Sequence, residues 1–334
     1  MSEYRLRTEA HLNPHLFDVG IVEEPIRTGY GEGLLLAGKE NEHVVALCAD
    51  LKESTKTDLF AKEYPQRFIE MGIGEQNMAA VASGMAAMGK IPFMTSYAMF
   101  NPGRNWEQIR TTICYNDQNV KIIGSHAGVS VGPDGGTHQA LEDIALMRVL
   151  PRMTVIVPAD TIEARKATRA AAQHKGAVYI RLAREKSPVI STDDTPFTIG
   201  SASLLWGGGA ANVALFACGG LVYQALRAAR TLADMNISST VVNVSTIKPL
   251  DKKTILDAVK DARAVVTVEE HQINGGLGGA IAELLGSSHP IQMEMVAVKD
   301  QFGQSGEPKE LIHEYGLDEE GIVQATQNLL LRLR

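Results

Sequence analysis

Cysteine is scarce in this chain: Cys48, Cys114 and Cys218 are the whole supply, odd in number and without C-x-x-C spacing. That argues against a disulfide framework or a structural zinc site and fits a reducing compartment. An excess of positive charge is also missing. Lys and Arg number 32 against 39 Asp and Glu, a formal net charge of -7, so neither a nucleic-acid coat nor an anionic membrane surface is expected as a partner. An anionic ligand would have to be met by a local cluster of Arg and His. No apolar run reaches the length of a membrane span, and the first residues, MSEYRLRTEAHLNPHLFD, hold no apolar stretch of signal-peptide length, so the reading is a soluble, cytoplasmic protein. Repeats of 20–50 residues and low-complexity tracts are likewise absent.

What the chain does have is 334 residues, 45% of them hydrophobic, enough for one large domain or two. Short β-branched runs alternate with amphipathic stretches. His43–Ala49, Ile91–Ser96, Val120–Gly124, Thr154–Val157 and Val178–Leu182 read as strands, with helical patterns over Glu75–Met88, Trp106–Cys114, Leu141–Val149 and Thr161–His174 between them. Strands apolar throughout imply parallel strands buried on both faces and joined by crossover helices. The polar stretch Ser191–Phe197, with Pro196, reads as a linker. A second series follows, with strands at Asn212–Ala217, Thr240–Val244, Ala264–Val268 and Ile291–Val298. Its helices fall at Leu221–Leu232, Lys253–Ala262, Gly279–Leu285 and Gly321–Leu331. The expected class is α/β with two doubly wound domains, 20–192 and 198–334.

Several motifs invite chemistry that their context denies. Gly84-Met-Ala-Ala-Met-Gly89-Lys90-Ile91 ends in Ile where a phosphate loop needs Ser or Thr, and it closes a helix instead of opening one. Gly128-Val-Ser130-Val-Gly132 matches a hydrolase nucleophile elbow but runs on into Pro133-Asp-Gly-Gly, which is loop. The glycine runs 207–209 and 275–279 miss the dinucleotide pattern and read as turns.

Three segments remain. Met71-Gly-Ile-Gly-Glu75-Gln-Asn-Met78 sets a carboxylate at a strand-to-helix junction, where it could simply favour a helix N-terminus. Tyr97-Ala-Met-Phe100 puts two aromatics at i and i+3, a spacing that core filler also shows. The loop from Ser125-His126 to Asp134 and His138 follows a strand, where α/β sheets bind ligands. Its His-x7-Asp-x3-His spacing could suggest a metal, but no further ligand is evident, and the expectation is no metal held by this chain.

Taken together, M-G-I-G-E-Q-N-M, Y-A-M-F-N-P-G-R and S-H-A-G-V-S-V-G-P-D-G-G-T-H-Q-A-L-E-D-I-A-L-M-R make the first domain resemble the pyrimidine-binding domain of transketolase. The second resembles transketolase's C-terminal domain. The resemblance implies thiamine diphosphate as cofactor, with the pyrimidine-binding domain followed by the C-terminal α/β domain. Transketolases grip the diphosphate and a divalent metal through a G-D-G…N motif, and no G-D-G occurs here. The resemblance therefore implies the C-terminal half of a split enzyme. Its partner would be a separate subunit carrying G-D-G…N with Mg2+ or Ca2+, and the assembly a heterotetramer.

The same resemblance implies roles. Glu75 matches the carboxyl group that hydrogen-bonds the cofactor's aminopyrimidine and promotes loss of the thiazolium proton. Phe100 matches the aromatic stacked on that ring; Tyr97 lines the pocket, and Asp50 and Leu51 match ring contacts. Arg27, Ser54, His126 and Arg184 match the cluster receiving the phosphate of a sugar-phosphate acceptor. Asp134 matches the reader of the acceptor's 2-hydroxyl, and His138 the group near the forming carbonyl. Three rivals stand beside this reading: the beta subunit of a 2-oxo acid dehydrogenase, a deoxyxylulose-phosphate synthase-like half, and a non-catalytic partner of a thiamine enzyme.

Overall fold

The computed structural model describes residues 4–333. Strands β1 (Arg5–Leu6), β2 (Glu23–Pro25), β3 (Val44–Cys48), β4 (Phe68–Glu70), β5 (Ile91–Tyr97), β6 (Lys121–Ser125), β7 (Thr154–Ile156), β8 (Val178–Arg181) and β9 (Lys186–Pro188) precede the linker. Those after it are β10 (Ser203–Gly207), β11 (Val213–Ala217), β12 (Ser239–Asn243), β13 (Thr246–Lys248), β14 (Ala264–Gln272) and β15 (Gln292–Val298). They form a seven-stranded sheet in the order β13-β7-β8-β6-β5-β3-β4 and a six-stranded sheet in the order β1-β10-β12-β11-β14-β15. β2 and β9 make a separate antiparallel pair.

The central strands are parallel, and β3, β6, β8 and β11 are buried at every position, as strands covered on both faces must be. The all-parallel expectation fails at the edges. β13 runs antiparallel to β7, and β1 and β10 are antiparallel additions to the second sheet. These edges cross the sequence divide: β13 follows the linker yet completes the first sheet, while β1, near the start, completes the second. The linker itself is tied down. Lys166 Nζ donates to the carbonyls of Thr192 and Asp193 at 2.9 and 2.8 Å, and Ser191 N donates to Asp160 Oδ2 at 2.6 Å. One apolar cluster joins Met78, Ile122 and Met147 of the first half to Phe216, Val244 and Leu277 of the second. Each such side chain buried contributes about 1.5–3 kcal/mol.

Helix Ile26–Glu40 has no counterpart in the sequence reading, because its four glycines mask the apolar period. Two of them serve a close crossing with helix Thr161–Gln173: a Cβ on Gly33 would stand 2.7 Å from Arg165 O, and one on Gly29 would strike Thr161 O. The stretch expected as a helix over Trp106–Cys114 is one α turn, Trp106–Gln108, followed by a π-helix, Ile109–Tyr115. Thr111 and Thr112 hydroxyls donate to the carbonyls of Glu107 and Gln108 at 2.9 and 2.6 Å, competing with the i−4 backbone bonds and opening the turn. The helix expected from Leu141 begins at Asp143, since Leu141 O accepts from Gln272 N at 2.7 Å and Ala145 N turns to His271 Nε2 at 3.4 Å in place of Leu141 O. The glycine run 275–279 is only partly a turn. Leu277–Ser288 is helix, its first amides donated to Glu269: Leu277 N at 2.7 Å and Gly278 N at 2.8 Å.

Candidate functional site

In the first sheet the strands β8-β6-β5-β3-β4 are neighbours and run parallel. Their carboxyl ends open on one side, where the partial dipoles and loops of such sheets gather ligands. Arg184 follows β8, His126 follows β6, and Tyr97 ends β5 with Phe100 beyond it. Asp50, Leu51 and Ser54 follow β3, and Glu75 follows β4 as the first residue of helix Glu75–Ala87. Arg27 enters from the first turn of helix Ile26–Glu40.

Glu75 is buried, its side chain 2% exposed. Its Oε1 accepts from the Ser96 hydroxyl at 3.2 Å and its Oε2 from Arg104 Nη1 at 2.8 Å, while its own carbonyl accepts from Asn105 Nδ2 at 3.1 Å. Helix-terminus stabilisation alone does not explain this, because a surface carboxylate would serve that purpose without burial. Arg104, 45% exposed, lies over the Phe100 ring with Cζ 4.8 Å from its centroid. Phe100 is stacked on Tyr97 at 6.3 Å and 15°, and meets His138 edge-on at 5.6 Å and 84°. Tyr97 stacks on His126 at 3.8 Å and 22°. An unbroken series of contacts thus runs from Glu75 to His126.

His126 continues the series into cations. Ser54 Oγ lies 2.7 Å from Tyr97 Oη and 3.3 Å from His126 Nε2. Arg27 Nη1 donates to the Ser54 carbonyl and stands 3.5 Å from His126 Nε2. Burial, with Arg27 and Arg184 nearby, pushes the His126 imidazolium down to about 3, so the ring is neutral near pH 7. A guanidinium can only donate, which makes Nε2 the acceptor and puts the proton on Nδ1, donated to Ser125 Oγ at 2.9 Å. Burial and the neighbouring Arg184 also lower Arg27. Among the described residues Arg27 Nε is a buried donor without a hydrogen-bond partner, which suits an incoming anionic oxygen. Arg184 Nη1 is held by Val131 O at 3.0 Å and Glu185 Oε1 at 2.5 Å.

The remaining expected residues lie nearby on the same rim. His138 Nδ1 is 2.9 Å from the Thr137 hydroxyl, and Asp134 is exposed at the end of the 3-10 segment Val129–Asp134. Asp50, exposed and in the left-handed region at φ 57°, donates its amide to Glu70 Oε1 at 2.7 Å. That same oxygen accepts from Gly72 N at 3.1 Å, so Glu70 ties the Asp50 turn to the turn before Glu75. Leu51 O accepts from Thr55 N and Oγ1, each at 2.9 Å. Sequence reasoning assigned no role to Ser96, Arg104, Asn105 or Glu70; the single available signal was their position within or beside the three motifs. Among the described residues no group of three His, Cys, Asp or Glu could hold a metal ion, the His126–Asp134–His138 set included. No helix among them is long and apolar enough to cross a membrane.

The residues fit the pyrimidine end of thiamine diphosphate. A buried carboxylate that could meet a ring nitrogen sits beside an aromatic platform, and the guanidinium on that carboxylate is nearly half exposed.

Comparisons with known proteins bear on this geometry. The family model "Transketolase, pyrimidine binding domain" matches residues 24–189, and "Transketolase, C-terminal domain" matches residues 208–322. The chain is 44% identical over 304 residues to a putative transketolase C-terminal section of Methanocaldococcus jannaschii, covering 90% of this chain and 95% of that one. It is 39% identical over 316 residues to a 6-deoxy-6-sulfo-D-fructose transketolase subunit of Clostridium sp. MSTE9, covering 95% and 98%. Among solved structures, one titled "Split gene transketolase, inactive beta4 tetramer" superposes with a TM-score of 0.86 at 44% identity, covering 93% of this chain and 99% of that chain.

Proposed function

Because the chain belongs to the transketolase family, we propose that it is one subunit of a two-chain, thiamine-diphosphate-dependent transketolase. The enzyme would move a two-carbon ketol unit from a ketose or ketose phosphate to an aldose or aldose phosphate. Residues 20–192 supply the pyrimidine-binding domain and 198–334 the C-terminal domain. The diphosphate and its Mg2+ or Ca2+ fall to a second subunit with the G-D-G…N motif, in a heterotetramer.

One observation carries this reading: the contact series from buried Glu75 through Arg104, Phe100 and Tyr97 to the His126–Arg27 cluster. It pairs a cofactor-type carboxylate with an anion-type pocket at the distance of a few side chains. Thiamine diphosphate, when bound, supplies a nucleophilic carbon that accepts and passes on the ketol unit. Glu75 would hold the cofactor through a proton shared between its carboxyl group and the ring nitrogen, on a side chain only 2% exposed. Phe100 and Tyr97 fix the plane of the ring. The phosphate is received at the far end by Arg27 and Arg184, with Ser54 beside them and His126 donating from Nε2 in its other tautomer once Arg27 turns to the phosphate. Asp134 reads the sugar's 2-hydroxyl, and His138, edge-on to Phe100, donates to the oxygen on which charge develops.

Relatives named as a section and as a subunit, and a split-gene relative whose homotetramer is described as inactive, support a partner requirement. The test is reconstitution. The purified chain alone should show no thiamine-dependent ketol transfer, and adding the G-D-G…N subunit should restore it. Full activity of this polypeptide by itself would overturn the split-enzyme reading.

A further inference from the structure

Residues after the linker supply none of the side chains in the site's contact series, yet they hold the loop that carries His126, Asp134 and His138 at both of its ends. At the start, Ser130 N donates to Glu270 Oε1 at 2.6 Å, across 140 positions of sequence. Gly128, at φ +90°, lies so close that a Cβ there would run into the Glu270 carboxylate. Glu270 is itself fixed: Arg181 Nη2 donates to its carbonyl at 2.7 Å, and Arg181 Nε in turn holds Asp143 at 2.9 Å. At the other end, Gln139, the residue after His138, donates from Nε2 to Val129 O at 3.0 Å and to Gln304 O at 2.9 Å. A Cβ on Gly303 would strike the Gln139 amide. Between the two pins the loop still leans on the second half, where a Cβ on Gly132 would stand 3.0 Å from Pro308 and one on Gly135 2.5 Å from Ser305 Oγ, and it leaves Asp134 exposed and His138 half-buried.

We propose that the second half of the chain acts as the positioning frame of the substrate loop, with Glu270 and the Gly303–Gln304 backbone setting where His126 and His138 stand against Tyr97 and Phe100. Glu270 and Gln139 are positioning residues and touch no substrate. The inference rests on the proposed ketol-transfer reading for what the loop binds, but not for how the loop is held. Its consequence is selective. Weakening the frame loosens acceptor recognition, while the Glu75 side of the site, held by Ser96 of β5 and by Asn105, both before the linker, stays put.

Hydrogen exchange on the full chain with Glu270→Ala tests this. The frame predicts exchange faster by about tenfold or more within residues 128–139 and no change over residues 71–78. Glu270→Gln, whose amide oxygen still accepts from Ser130 N, should restore most of the protection. If Glu270→Ala does not fold, Gly303→Ala, whose methyl would run into the Gln139 side chain, gives the same readout. In the reconstituted enzyme, KM for a phosphorylated acceptor should rise in these variants with thiamine diphosphate affinity unchanged. Unaltered exchange in the loop, or equal acceleration across residues 71–78, overturns the proposal. Failure of the parent enzyme to transfer ketol units would instead strike the functional reading, leaving the exchange result intact.

Discussion

Arg104 lies across the face of Phe100 and places its Nη1 2.8 Å from Oε2 of the buried Glu75. Removing the guanidinium would strand a carboxylate that is only 2% exposed, whereas removing both charges would leave a neutral amide, which costs far less to bury. Arg104 is itself nearly half exposed, so solvent screens the pair. A double-mutant cycle of Arg104→Met and Glu75→Gln, read by urea unfolding, should give a coupling of about 1–2 kcal/mol. A coupling near zero would mean that the pair is incidental.

Glu75→Gln retains the shape and the Ser96 contact but loses the acid. Turnover of the reconstituted enzyme should fall by at least ~10²-fold, the scale of a lost general acid–base group. Exchange of the cofactor's thiazolium proton, followed by NMR after quenching, should slow in step. Near-normal proton exchange would return Glu75 to a helix-terminal role.

Phosphate recognition and carbonyl chemistry separate at different residues. A charge-assisted contact is worth about 1.5–3 kcal/mol, so Arg184→Ala should lose on the order of 10- to 150-fold in kcat/KM with phosphorylated acceptors. With glycolaldehyde, which carries no phosphate, the same variant should stay close to the parent. His138→Ala should depress turnover with both acceptors, because the developing charge needs its donor either way. Equal losses for Arg184→Ala on both would move the phosphate site toward Arg27.

His126 makes a prediction about acid. Its folded-state value near 3 lies below the ordinary 6.5, so between those limits the unfolded chain binds the extra proton. The stability from this histidine is full above about pH 6.5 and drains away as pH falls toward 3. Buried Glu163, raised to about 7, has the opposite sign: its contribution is full below 4.5 and lost as pH rises through 7. Urea midpoints of His126→Gln against the parent isolate the first effect. The difference between them should shrink as pH drops from 7 to 4.5, and a constant difference would refute it.

The strands most legible in the sequence were those buried on both faces, such as β3 and β11, whose unbroken apolar runs leave no other reading. Helix Ile26–Glu40 was illegible because Gly29 and Gly33 report a crossing with a helix that starts 135 residues after it does, which local propensity does not register. β4 and β13 have three residues each, too short for any period. At the site, Glu75, Phe100 and His126 stand inside long motifs and could be named. Ser96 and Glu270 could not, since a hydroxyl in a strand and an acid 140 positions from its partner acquire meaning only once the sheets are assembled.

The reciprocal edge strands alter what cutting the linker would do. A cleavage within 191–197 yields one piece that keeps β1 and β7 and another that keeps β10 and β13, and each piece needs a strand that the other carries. The apolar cluster they share adds a second attachment. The nicked polypeptide should therefore sediment as a single particle and part only in denaturant, and the two fragments, expressed separately, should be soluble together and aggregate apart. A protease that opens Ser191–Phe197 would leave the ligand-bearing rim in place, making fragment complementation a route to labelling either half alone.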